Sequence, residues 1–178
     1  MSHGRGLVLE RFRWIGGHAD VWQVFRDPEA LAAAVRVLAR PFRDDGVTAV
    51  CGIESRGFLL GAAVAVEPGV GFVAVRKSEG ILPGKKVTWR SDPDYRGTRQ
   101  ELRLQRTAVG PADRVLLVDD WIETGSQASA VRSMVEECGG QWVGCSVVVD
   151  QTTPARRADL AVRSIVTAAE LTAWGGQY

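Results

Sequence analysis

The sequence predicts an α/β fold in which a central parallel sheet is flanked by helices, and three observations carry that prediction. A short uninterrupted apolar run at residues 115–118, with the length of a strand buried on both faces and too short for a helix, is joined by largely apolar stretches at 47–53, 71–75 and 141–149 that also read as strands. Between them lie stretches with apolar residues at helical spacing or rich in small apolar residues. Strands and helices therefore alternate, as a parallel sheet requires when each crossover carries a helix. Glycine and charge gather just after the strands, at the carboxyl edge where open α/β sheets bind ligands.

Composition sets the outer bounds. With 178 residues, 46% hydrophobic and 24% charged, the chain fits one domain, 1–178, with a substantial core. A formal net charge of +1 gives no reason to expect a nucleic acid or an acidic membrane as partner. Cys51, Cys138 and Cys145 lack metal-site spacing and sit in apolar segments, as reduced core thiols do. Cytoplasm is the expected compartment, and no stretch has the length of a membrane-spanning helix.

In chain order, residues 7–25 show no clean period and are read as two short strands turning at Gly16-Gly17. Asp27-Pro28 opens a helix, a capping carboxylate followed by proline at the first helical position, with Leu31, Val35, Leu38 and Phe42 on one face. The strand at 47–53 runs into Gly52-Ile53-Glu54-Ser55-Arg56-Gly57-Phe58, and the next helix contains Gly61-Ala62-Ala63-Val64-Ala65. All three lysines, Lys77, Lys85 and Lys86, fall within one ten-residue stretch after the strand at 71–75, beside Arg76. Such clustering suits a polyanion. Residues 76–100, rich in Gly, Pro and charge, are expected to be flexible, with short strands at Lys86–Arg90 and at 100–104. Val115 to Val118 lead into Asp119, Asp120 and the turn Thr124-Gly125-Ser126, followed by a helix that Gly139 ends. Residues 160–162 and 164–166 are candidate edge strands after the one at 141–149.

The stretch from 115 to 130 suits a sugar phosphate. Free amides at a helix N-terminus attract phosphate, and Gly125 lets the backbone come close. The carboxylates Asp119 and Asp120 accept the hydrogen bonds of a ribose diol or of metal-bound waters. Arg56, between a strand end and a glycine, offers a guanidinium fork to phosphate oxygens.

The motif V-L-L-V-D-D-W-I-E-T-G-S-Q resembles the PRPP-binding signature of type I phosphoribosyltransferases, D-D-x-x-x-T-G-G-T, with Ser126 and Gln127 where that family has Gly and Thr. G-I-E-S-R-G-F-L-L-G looks like the pyrophosphate loop of the adenine phosphoribosyltransferases, and R-K-S-E-G-I-L-P-G resembles their R-K-x-G-K-L-P-G. The resemblance covers roughly residues 47–150. It implies a type I core with a flexible loop at 76–100 and a small N-terminal hood at 1–26. It also implies transfer of a 5-phosphoribosyl group from PRPP to a purine, adenine by default, releasing pyrophosphate.

Carried over residue by residue, it assigns PRPP binding to Asp119, Asp120, Thr124, Gly125, Ser126, Gln127 and Ala128. Pyrophosphate falls to Glu54, Ser55, Arg56, Arg76 and Lys77, with a cis peptide at Glu54-Ser55. Base contact falls to Val24, Phe25 and Arg26, in the V-F-R-D segment. Asp94, in D-P-D-Y-R-G, matches the family's loop carboxylate and is a catalytic candidate. Glu123 is the other, since the 6-oxopurine enzymes carry an acid there that bonds the base. Mg²⁺ is expected to arrive bound to PRPP with no protein cage, and the family's dimers imply a homodimer. Alternatives are a non-catalytic PRPP or nucleotide-binding regulator and transfer to another base. A phosphate-receiving signalling domain needs a later lysine, and none follows Lys86.

Overall fold

The computed structural model describes residues 3–15, 18–77, 81–93 and 97–175. Its main sheet has seven strands. Five are parallel: β3 (Ala49–Ile53), β4 (Gly71–Lys77), β7 (Arg114–Ile122), β8 (Gln141–Asp150) and β9 (Val162–Thr167). They stand in the order β4-β3-β7-β8-β9, and an antiparallel hairpin of β5 (Lys86–Arg90) and β6 (Glu101–Gln105) extends the β4 edge. The predicted parallel sheet is thus present with a mixed edge. The two stretches at 160–162 and 164–166 resolve into the single strand β9, because a short helix, α6 (Pro154–Asp159), supplies the crossover that a parallel neighbour of β8 needs.

Alternation along the central strands sends side chains to two cores. Ala49, Cys51, Val115, Leu117, Cys145 and Val147 face α5 (Ser126–Glu137), meeting Val131, Met134 and Val135. Val50, Leu116, Val118 and Val148 face the other way, onto α3 (Pro28–Ala39) and α4 (Arg56–Val66). Each such side chain, fully buried, contributes about 1.5–3 kcal/mol relative to exposure. Helix α3 begins as expected, with Asp27 Oδ1 accepting from the amides of Glu29 and Ala30, and Gly139, at φ 87°, follows the end of α5. The three cysteines are unpaired and buried.

The N-terminal region departs from expectation. The two short strands exist, β1 (Arg13–Ile15) and β2 (His18–Asp20), paired antiparallel, while the turn at Gly16-Gly17 lies outside the described residues. Leu7 to Arg11, however, belong to a helix, α1 (His3–Arg11), and Val24 to Arg26 to another, α2 (Trp22–Arg26). Helix α1 lacks an amphipathic signature; it is held by burial of Val8 and Leu9 and by close approach to α3. A Cβ at Gly4 would stand 2.7 Å from Val37 Cγ2 and 3.2 Å from the Ala33 carbonyl. Arg11 Nε reaches the Asp27 carboxylate at 2.9 Å, tying α1 to the cap of α3.

Candidate active site

The parallel strands β3, β4 and β7 end on one edge, and the loops that follow β3 and β7 meet there around two adjoining cavities. One, of about 200 Å³, is lined by Asp119, Glu123, Thr124, Gly125, Ser126, Gln127 and Ala128, with Leu117, Cys145 and Val147 among its apolar lining. The other, about 370 Å³, is lined by Glu54, Ser55, Arg56, Lys77, Asp119, Asp120 and Gln127. Ile53, Arg56, Asp119, Trp121 and Gln127 line both.

The turn after β7 is built for close approach. Gly125 sits in the left-handed region (φ 78°) immediately before α5, a conformation that other residues reach only with strain. Thr124 Oγ1 donates to Ser126 Oγ at 3.0 Å and accepts from the Ser126 amide at 3.3 Å. The serine that departs from the family pattern is therefore buried and tied into the turn. Gln127 points its half-buried side chain toward both cavities.

The acidic pair is asymmetric. On the pleated strand Asp119 shares a face with Leu117, and Asp120 lies on the opposite face with Leu116 and Val118. Asp120, 4% exposed, forms an ion pair with Arg56 Nε at 2.6 Å. Asp119 accepts from the Asp120 amide at 2.9 Å. Burial, reinforced by the neighbouring Asp120 carboxyl, pushes its carboxyl well above the ordinary range even though its outer edge reaches the cavities. The Cys145 thiol on the cavity floor is likewise pushed up, by burial and then by Asp119, which keeps it protonated and unreactive.

In the second loop the Glu54-Ser55 peptide is cis, as the resemblance implies. Arg76 grips the Glu54 carboxylate through Nε at 3.2 Å and Nη2 at 3.0 Å, and the Lys77 amide donates to it at 3.0 Å. The Arg76 hydrogen bond is the main reason that the Glu54 carboxyl lies below its ordinary value.

Some expected residues stand apart. Val24, Phe25 and Arg26 line neither cavity. The Val24 side chain is buried in the core beneath α2, its amide donates to the Val21 carbonyl at 3.0 Å, and Arg26 is exposed. Asp94 lies outside the described residues. One residue was missed: Trp121 stands between the cavities, its Nε1 donating to Gln151 Oε1 at 3.1 Å. Its ring meets Trp14 edge-on at 6.1 Å and Phe12 at 6.4 Å, joining the N-terminal region to the acidic strand. Two-residue alternation from Asp119 puts Trp121 on the cavity side, a signal legible in the sequence.

Comparison with known proteins agrees with this geometry. The phosphoribosyl transferase domain model matches residues 21–175. An adenine phosphoribosyltransferase of Nitrosospira multiformis is 41% identical over 79% of this chain and 79% of its own. One of Methylococcus capsulatus is 42% identical over 74% and 75%. The crystal structure of adenine phosphoribosyltransferase from Rhodothermus marinus superposes with a TM-score of 0.82 at 31% identity, covering 94% of this chain and 99% of that one. The Giardia lamblia enzyme, solved with 9-deazaadenine, gives 0.80 at 29% identity over 92% and 97%. With the family model spanning most of its length and relatives above 40% identity, the chain belongs to the phosphoribosyl transferase domain family, in the company of the adenine phosphoribosyltransferases.

Proposed function

We propose that this chain transfers the 5-phosphoribosyl group of PRPP to adenine, yielding a nucleoside monophosphate and pyrophosphate in purine salvage. The observation that carries the reading is the pair of adjoining cavities: an amide-rich glycine turn in one, Glu54, Ser55 and Lys77 in the other, and Arg56 and the carboxyl of Asp119 common to both. That spacing suits a ligand with a phosphate at one end, a ribose in the middle and a pyrophosphate at the other. Thr124 to Ala128 would hold the 5′-phosphate through backbone amides. Asp119 and Asp120 would accept from the ribose hydroxyls. Arg56, Lys77 and the backbone of Glu54 and Ser55 would receive the pyrophosphate, with Glu54 aligning Arg76.

The hard carboxylate oxygens of Asp119 and Asp120 suit Mg²⁺ delivered on PRPP with most of its waters retained. When bound, the ion would offset charge on the leaving pyrophosphate. The developing positive charge on the sugar would be sheltered by the apolar lining of Trp121 and Ile122. Trp121 also offers a flat wall for a purine. Recognition of the base through the Val24 or Phe25 amide would require the first turn of α2 to open, because both already donate to the Val21 carbonyl. Asp94 stays the candidate loop carboxylate on the strength of its motif.

Two further features extend the reading. Leu59 and Val66, seven residues apart on α4, are 56% and 77% exposed, an apolar stripe suited to pairing two copies. Unpaired, buried cysteines suit the cytoplasm, and no helix among the described residues is long and apolar enough to cross a membrane.

The test is PRPP-dependent nucleotide formation with adenine, hypoxanthine, guanine, xanthine and orotate. Adenine as the preferred base supports the reading, and formation with none of them returns the chain to a binding role. One observation favours a shifted base preference: Glu123 is half-buried and lines the phosphate-turn cavity. A carboxylate there accepts from a protonated ring nitrogen. Loss of turnover in Glu123→Ala with PRPP affinity retained would assign it to the base.

A further inference from the structure

The phosphate turn is held from outside its own strand, loop and helix. Helix α6 starts on Thr153, whose side chain accepts from the Arg156 amide, with Pro154 at the first helical position. Arg156 and Leu160, four residues apart, close over Gly125. A Cβ on that glycine would stand 2.8 Å from Arg156 Cγ, 3.1 Å from its Cδ and 3.0 Å from Leu160 Cδ1. The stem of Arg156 therefore lies flat on the left-handed residue of the turn. Its head reaches further. Nη1 donates to Ser129 Oγ at 3.2 Å, within the first turn of α5, and to Asp159 Oδ2 at 3.3 Å. Asp159 in turn accepts from Arg132 of α5 at 3.4 Å on its carboxylate and at 3.2 Å on its carbonyl.

Resting on the phosphoribosyl reading, we propose that Arg156 is a positioning residue for the 5′-phosphate of PRPP. It does not line the cavity, so it acts through the turn. The stem keeps Gly125 left-handed, and the bond to Ser129 fixes the first turn of α5 so that the amides of residues 125–128 converge on one anion. The guanidinium also adds positive charge behind those amides, partly offset by Asp159, on top of the helix dipole. Both effects bear on the phosphate end of the ligand. Neither reaches the pyrophosphate loop, which is built on β3 and β4.

Two substitutions separate these effects from simple packing. Arg156→Met keeps an unbranched stem over Gly125 but loses the charge and the hydrogen bonds, while Arg156→Lys keeps the charge. Calorimetric titration with ribose 5-phosphate and, separately, with pyrophosphate reads the two ends of the ligand. Arg156→Met should weaken ribose 5-phosphate about tenfold, the scale of one charge-assisted hydrogen bond. Pyrophosphate affinity should stay within about twofold, as expected of an independent site. Arg156→Lys should recover part of the loss, and the KM for PRPP should rise in Arg156→Met while that for adenine holds. Wild-type affinity for ribose 5-phosphate in Arg156→Met, or an equal loss for both probes, would overturn the proposal. If the unaltered protein binds neither probe, the phosphoribosyl reading itself falls and takes this one with it.

Discussion

The turn after β7 and the loop after β3 share one sheet edge but meet an anion in opposite states. At the turn, positive potential comes from backbone amides and a helix end fixed by Gly125, Thr124 and Ser126, so no ion pair has to be broken before a phosphate docks; only the Ser126 amide, which donates to Thr124 Oγ1 at 3.3 Å, exchanges a partner. At the loop the two arginines are already engaged: Arg56 with Asp120 at 2.6 Å and Arg76 with Glu54 at 3.0 Å. A pyrophosphate must share or replace those partners, and part of its Coulomb gain offsets the pairs it disturbs. The difference teaches that the phosphate end is preorganised and supplies affinity, while the pyrophosphate end exchanges one set of ion pairs for another.

The largest expected effect comes from breaking the preorganised side. Gly125→Val places a branched side chain at φ 78° and against Arg156 and Leu160. The backbone strain alone costs about 1–3 kcal/mol, and ribose 5-phosphate affinity should fall at least about 100-fold if that strain is relieved by moving the amides. Far-UV circular dichroism with calorimetry checks that fold and binding separate.

Next is the exchanging side. Arg56→Gln removes a pyrophosphate cation and leaves the buried Asp120 beside Asp119 without its partner. Pyrophosphate affinity should fall at least about tenfold, with ribose 5-phosphate far less affected.

A third expectation concerns pH. Between the ordinary value of 3.8 and the raised one, the folded chain holds a proton on Asp119 that the unfolded chain releases. Stability therefore falls as pH rises from that ordinary value through the raised one. Each tenfold gain in proton affinity is worth about 1.4 kcal/mol. Asp119→Asn lacks this ionisation, so its stability advantage over the unaltered protein should grow with pH across that window in denaturant titrations, while its PRPP binding is lost. A constant difference would contradict the raised Asp119 carboxyl.

The smallest effect is at Glu54. The Glu54→Gln change weakens a partly exposed pair and should cost under about 1 kcal/mol, shrinking with salt. Denaturation at two salt concentrations would show it.

The same contrast explains what the sequence made legible. The turn is local: apolar strand, two acids, glycine and amphipathic helix follow one another within residues 115–138, so spacing alone assembled it. The loop was equally legible as a motif, but its ion pairs join Arg56 to residue 120 and Glu54 to residue 76, contacts that no local period encodes. The N-terminal region is the extreme case. Helix α1 is held by the approach of Gly4 to Ala33 and Val37 and by burial of Val8 and Leu9, so residues 7–25 carry no clean period, and a reading of two strands about Gly16-Gly17 leaves out the helices at either end. Arg156 escaped for a related reason, since α6 meets Gly125 only in three dimensions.

Calorimetry of Mg·PRPP with the unaltered protein, Gly125→Val and Asp120→Asn tests the central claim most directly. Sub-millimolar binding by the unaltered protein, lost in both folded variants and more completely in Gly125→Val, is the predicted result. Affinity unchanged by either substitution would contradict a site organised around the acidic pair and the glycine turn.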